Sequence, residues 1–140
     1  MLGHGFFFAL LTAILWGLSP VFEKTALLRI SPLAGAGLRS LSIAAIFLII
    51  LLAGGYHREL FRVDPKTITL IVCGGIISGL IGQWTYFSAL KHWEASRVVP
   101  IVGTYPLFAL TFSLIFLGEQ LTWQKGTGIF LVILGVILLR

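Results

Sequence analysis

The chain has 140 residues, of which 58% are apolar and only 11% charged, with a mean hydropathy of +1.03 and a net charge of +5. This composition excludes a soluble two-domain enzyme, a disordered tail and a secreted disulfide scaffold. The ten Lys/Arg are set singly between apolar runs and form no stripe that would track nucleic-acid phosphates.

Five bilayer-spanning helices of about 20 residues would use roughly 100 residues and leave about 40 for ends and turns. The sequence divides that way, with spans expected at about 6–22, 33–52, 67–90, 98–117 and 123–139 in one five-helix membrane domain. The first run, from Phe6 to Phe22, ends on Glu23-Lys24. It does not read as a signal peptide, because no Lys or Arg precedes it and no small-residue cleavage site follows. Ser31 is positioned to cap the second run with Pro32 at its first helical residue, and Gly54-Gly55 stops it. Asp64-Pro65 repeats the signal before the third run. Lys91 to Arg97 forms a short charged turn. The fourth run stops at Gly118-Glu119, where Gly118 suits a helix C-terminus and Thr122 the start of the fifth. Each run is apolar around most of its circumference and lacks two-residue alternation, so helices are expected and a β-barrel is not. Gly75 with Gly79, and Ala36, Ser40 and Ala44, have the spacing of close helix packing.

Orientation is undetermined by charge. With the N-terminus cytoplasmic, the inner segments hold Arg58, Arg62, Lys66 and Lys125, and the outer ones Lys24, Arg29, Lys91, Arg97 and Arg140. Four against five leaves the positive-inside rule almost nothing to act on. Insertion in both orientations, giving an antiparallel pair, is one expectation; the other is that neighbouring proteins or the spread of charge within loops settle it.

No catalytic constellation is present. His4, His57 and His92 lie far apart without a second ligand at metal spacing, Cys73 sits in an apolar run, and no Gly-rich phosphate loop follows a strand. An enzyme is therefore the weakest reading, and no cofactor is implied.

What the sequence does hold is a layer of polar and aromatic side chains at one depth. Trp16 precedes Glu23, and Trp84 precedes Lys91, by seven residues, or about 10 Å of helix. Arg39 follows Ser31, and Tyr105 follows Arg97, by eight residues, or about 12 Å on returning helices. Gln83 and Tyr86 bracket that level. Trp and Tyr prefer the interface belts that Trp93 and Trp123 occupy, so the deeper ones call for a reason. The functional reading is a substrate pocket lined by Trp16, Arg39, Gln83, Trp84, Tyr86 and Tyr105. The structural alternative is packing for the aromatics and an outward-reaching stem for Arg39. An inward Arg39 needs an acidic partner, an anion or water, and Glu23 is the natural candidate. Thr12, Trp16, Ser19 and Glu23 share one helix face, Glu23 and Lys24 stand at the mouth, and Pro20 and Pro106 free carbonyls within their spans. Glu119 reads as a turn residue serving exposed backbone donors.

The chain resembles an EamA-type half of the drug/metabolite transporter superfamily. The likeness rests on Trp16-Gly17 and Lys24 in the first span and on Arg39 within Leu38-Arg39-Ser40-Leu41 in the second. It continues through Tyr86-Phe87-Ser88-Ala89-Leu90-Lys91, Pro100 and Pro106, the turn at residues 117–122, and Gly126 with Gly135. The resemblance implies a multi-pass transporter of small metabolites or drugs, often an exporter, in the inner (plasma) membrane. It also implies two inverted halves around a cavity, of which this chain supplies one, so that a homodimer, antiparallel in form, or a second EamA-like half completes it. A similar four-helix group exports cationic drugs through a glutamate inside its first helix; Glu23 lies at the end of the span, and that preference does not carry over. The alternatives are a non-transporting membrane subunit and a lipid-head-group flippase subunit.

Overall fold

A computed structural model describes residues 4–138, which form helices and short turns with no strand among them. Leu139, the expected end of the fifth run, and Arg140 lie outside the described residues. Helices α1 (His4–Leu27), α2 (Pro32–Ala53), the four-residue α3 (His57–Leu60), α4 (Pro65–Gly75) and α5 (Gln83–His92) are followed by α6 (Ala95–Val102), α7 (Tyr105–Phe116) and α8 (Trp123–Leu138). Four stretches are long and apolar enough to cross a bilayer: Gly5–Leu27, Pro32–Ala53, Pro65–His92 and Ala95–Phe116. The 16-residue α8 is apolar but shorter, about 24 Å at 1.5 Å per residue. The chain is an all-α membrane protein.

The chain divides into two compact units, Met1–His92 and Trp93–Arg140. In the first, α1, α2 and α5 pack on one another. Apart from Pro20 on α1, their buried residues gather where α1 ends, α2 begins and α5 ends: Leu27, Gly35, Ala36, Phe87 and Leu90. Gly35 allows a close approach there. A Cβ on it would stand 3.2 Å from Phe87 Cδ2 and 3.3 Å from the tips of Leu27 and Ile30, so its absence lets the Phe87 ring approach the backbone of α2. Lysines close the same end. The Lys24 ammonium donates to the carbonyl of Leu90, and Lys91 Nζ donates to that of Ile30 at 2.7 Å. Each cation meets a carbonyl near a helix C-terminus, where the backbone lacks intrahelical donors and carries partial negative charge.

Helix starts follow the local chemistry. The Ser31 hydroxyl accepts from Ala34 N at 3.3 Å, and the Asp64 carboxylate accepts from Thr67 N at 3.0 Å, each with proline in the first turn behind it.

The third span is not a uniform α-helix. Ile76–Gly82 adopts π-helical turns between α4 and α5. Glycines 74, 75, 79 and 82 in and beside this stretch lower its α-helical preference. The Thr85 hydroxyl serves the carbonyls of Ile81 and Gly82, at 3.0 and 2.9 Å, where the wider turn meets α5. The π segment separates two unlike halves: α5 is docked on α1 and α2, whereas α4 buries no residue.

In the second unit the fourth span is interrupted at Gly103 and Thr104, between α6 and α7. Pro106 falls in the first turn of α7 rather than within a continuous helix. Its missing N–H would have served the carbonyl of Val102, the last residue of α6. After α7 the chain turns at Gly118, whose φ of +64° is costly for residues bearing a Cβ. Thr122 Oγ1 then accepts from Lys125 N at 3.3 Å at the start of α8.

Candidate functional site

Three helices of the first unit converge on one guanidinium. On α1, Ser19 and Glu23 stand one turn apart, and the Ser19 hydroxyl donates to Glu23 Oε1 at 2.8 Å. Arg39, two turns into α2, places Nε 3.5 Å from the same oxygen. Its Nη1 donates to Gln83 Oε1 at 2.7 Å, and Gln83 is the first residue of α5 after the π segment. The Glu23 side chain is 12% exposed and that of Arg39 41%. Glu23 is thus recessed, while the guanidinium reaches the surface of the unit.

Two atoms of this network, Glu23 Oε2 and Gln83 Nε2, are buried without a hydrogen-bond partner. One is an acceptor and the other a donor, and both belong to residues already held by Arg39. Buried polar atoms left in this condition are uncommon, because desolvation costs about 1–3 kcal/mol when no bond replaces water.

A cleft of about 320 Å³ adjoins the network, lined on its polar side by Ser19, Glu23, Arg39 and Ser42 and on its apolar side by residues including Phe22 and Phe87. Glu23 and Arg39 are the two charged residues of its lining. Trp16, Gln83, Trp84 and Tyr86 are outside that lining. Trp16 and Trp84 are exposed on the unit, at 66% and 47%. Tyr86 is half-buried, with its ring centroid 6.0 Å from that of Phe87. Tyr105 stands at the start of α7 in the second unit, 57% exposed.

Arg39, Gln83 and Glu23 are therefore brought together, and Ser19 joins them. Ser19 was visible as a member of the α1 face, but its bond to Glu23 depends on rotamers that a face pattern does not specify. Lys24 lies beside the network, engaged with the end of α5. Most other intramembrane hydroxyls turn back on their own helices, as Thr12 does to Phe8 O and Ser42 to Leu38 O, both at 2.8 Å. Among the described residues no cluster of three or more His, Cys, Asp or Glu could hold a metal ion.

The second unit has a different polar feature at its α7–α8 turn. Glu119 Oε2 accepts from Lys125 Nζ at 2.8 Å, so its carboxylate is occupied by a cation rather than by the backbone donors expected of it.

Residues 3–140 match the family model of the EamA-like transporter family. The chain belongs to that family. An uncharacterized transporter of a Sinorhizobium species, from the cobO 3′ region, is 28% identical over 95% of this chain and 94% of its own length. A probable amino-acid metabolite efflux pump of Salmonella typhimurium is 30% identical over 95% of this chain, which spans only 42% of that protein. A probable 4-amino-4-deoxy-L-arabinose-phosphoundecaprenol flippase subunit, ArnF, of Shewanella sediminis is 38% identical over 40% of this chain and 45% of its own length. No solved structure matches the chain significantly. This EamA-like chain is thus comparable in length to one relative and to less than half of another.

Proposed function

We propose that this EamA-like chain is a small-molecule transporter of the inner membrane, an exporter, that works together with a second five-helix half. Trp16, Arg39, Gln83, Trp84, Tyr86 and Tyr105 line its path, and Glu23 and Lys24 stand at the mouth. The observation that carries this reading is the three-helix network on Arg39. A charged residue within an apolar span is costly and faces a pathway or a partner by default. Here it is held by an acidic and an amide side chain from two other helices, next to a cleft of about 320 Å³, large enough for a small solute. The exposed tryptophans fit a half whose lining is completed by another half. The Salmonella relative, named as an efflux pump and more than twice as long as the matched region, supports both export and pairing. A second copy of this chain is one source of the other half, and a separate EamA-like half is the other. The interrupted fourth span and the π-helical third span resemble the discontinuous helices from which transporters build alternating access. Relatives named as transporters favour a carrier over an enzyme.

The flippase-subunit reading is kept for one observation, the ArnF likeness. Both readings are tested with purified protein in vesicles, supplied with radiolabelled amino-acid metabolites in one series and a polyprenyl-phosphate-linked sugar in another. Carrier function predicts flux of a soluble metabolite above that of empty liposomes. Arg39→Ala is expected to lower it at least tenfold, with a lowered melting temperature because Glu23 loses its counter-charge, and Trp16→Ala severalfold. Flux untouched by both substitutions overturns the proposed path; translocation of the lipid-linked sugar alone selects the flippase reading.

A further inference from the structure

We infer that Glu23 is a specificity-determining residue: by cancelling the charge of Arg39 it makes the cleft select solutes without net charge, and its neutralisation turns the same cleft into an anion site. The inference rests on the carrier reading for its biological meaning, but it concerns binding and is tested by binding.

The charges that meet at this point account for themselves. Helix α1 contributes Glu23 and Lys24, α2 contributes Arg39, and the end of α5 contributes Lys91. Lys24 is engaged with the Leu90 carbonyl and Lys91 with that of Ile30, and neither lines the cleft. That leaves one carboxylate and one guanidinium in the lining, 3.5 Å apart. Opposite charges so close present a dipole rather than a monopole to a solute, and their fields largely cancel a few ångströms away. An anion at the guanidinium is repelled by the Glu23 carboxylate, and a cation at the carboxylate is repelled by Arg39, each from 3.5 Å away. In apolar surroundings that repulsion costs more than it would in water. A neutral solute meets neither.

The pair is also asymmetric. Arg39 is 41% exposed, and only its Nε and Nη1 are engaged with Glu23 and Gln83. The guanidinium has five N–H donors, so an accessible face remains for a carboxylate or phosphate. Glu23 is 12% exposed, with Oε1 shared between Ser19 and Arg39. Removing the negative charge therefore uncovers a reachable cation, whereas removing the positive charge uncovers a recessed anion. The two neutralising substitutions should not be mirror images.

Three probes of similar shape separate the cases: benzamide, benzoate and benzylammonium, with binding read by ligand-induced thermal shift on the full chain in lipid nanodiscs. The parent is expected to favour benzamide over both ions. Glu23→Gln should raise benzoate affinity relative to benzamide at least tenfold. Arg39→Gln should raise benzylammonium relative to benzamide by a smaller factor, and the double substitution should restore the parental order. If Glu23→Gln does not fold, Glu23→Asp is read instead. Its shorter side chain draws the carboxylate back from Arg39, and the expected benzoate gain is severalfold. A benzoate-to-benzamide ratio unchanged in the folded variant, including the case in which benzoate does not bind at all, overturns the inference. Unchanged probe ratios combined with flux that depends on Arg39 would remove the charge filter and leave the carrier reading standing. The converse result would retain the filter and remove the path.

Discussion

Asp64 and Glu119 lie outside the spans, and their surroundings make a pH prediction. Hydrogen bonds from the Thr67 hydroxyl, at 2.6 Å, and then from its amide hold the Asp64 carboxyl below the usual range. The hydrogen bond and charge of Lys125 do the same for Glu119. A carboxyl lowered by folding contributes stability that is present above its unfolded value, about 4, and is lost as pH falls through the lower folded value. The first turn of α4 and the α7–α8 turn should therefore be indifferent to pH between about 7 and 5 and loosen only below about 4. Hydrogen exchange at the Thr67 amide tests this, with Asp64→Asn abolishing the acid step. Loss of protection already at pH 6 would assign the titration to another group. Much of this chemistry was readable in advance, since Asp-Pro with Thr three residues on is a local pattern. The Lys125 partnership of Glu119 was not. It depends on the path of the turn after Gly118.

At the scale of elements, the strongest packing statement concerns α5 on α2. Phe87 is 3% exposed and fills the space that Gly35 leaves. Phe87→Ala is expected to destabilise by roughly 1–3 kcal/mol, below the 3–5 kcal/mol of a soluble core, because lipid rather than water surrounds the separated helices. Gly35→Leu should cost at least as much, since its Cβ alone would come within 3.2–3.3 Å of three side chains, closer than ordinary van der Waals contact. Equilibrium unfolding in mixed micelles measures both, and a neutral Gly35→Leu would show that the close approach is dispensable. The small-residue spacing on α2 pointed to a packing face, and Ala36 is buried there. Ser40 and Ala44 of the same stripe are exposed on the unit. A stripe shows where close approach is permitted; which part of it is used depends on how far the helices splay. The π-helical turns were equally hidden. Apolar periodicity is nearly uniform through residues 71–82, and the four glycines signalled weakness of the α-helix without saying how it would be resolved.

For the whole molecule, the open quantity is orientation. Four Lys/Arg against five is a balance that a few charges should tip. Reporter fusions at the C-terminus are expected to show two inserted populations, and two lysines added to the connection between α2 and α4 should drive the chain to the orientation that keeps that connection cytoplasmic. A single population in the parent would remove the dual-insertion route to an antiparallel pair and leave a separate second half as the partner.

Membrane character, the all-helical class and the capped helix starts at Ser31, Asp64 and Thr122 could be read from residue order. They depend on transfer of side chains into lipid and on hydrogen bonds spanning three or four residues, both of which act within one stretch of chain. Which lysine meets which carbonyl, and that Glu23 and Gln83 share Arg39, came from packing. Those facts turn on the rotation and tilt of each helix about its own axis. Rotation and tilt are set by contacts between residues dozens of positions apart, and no local pattern encodes them.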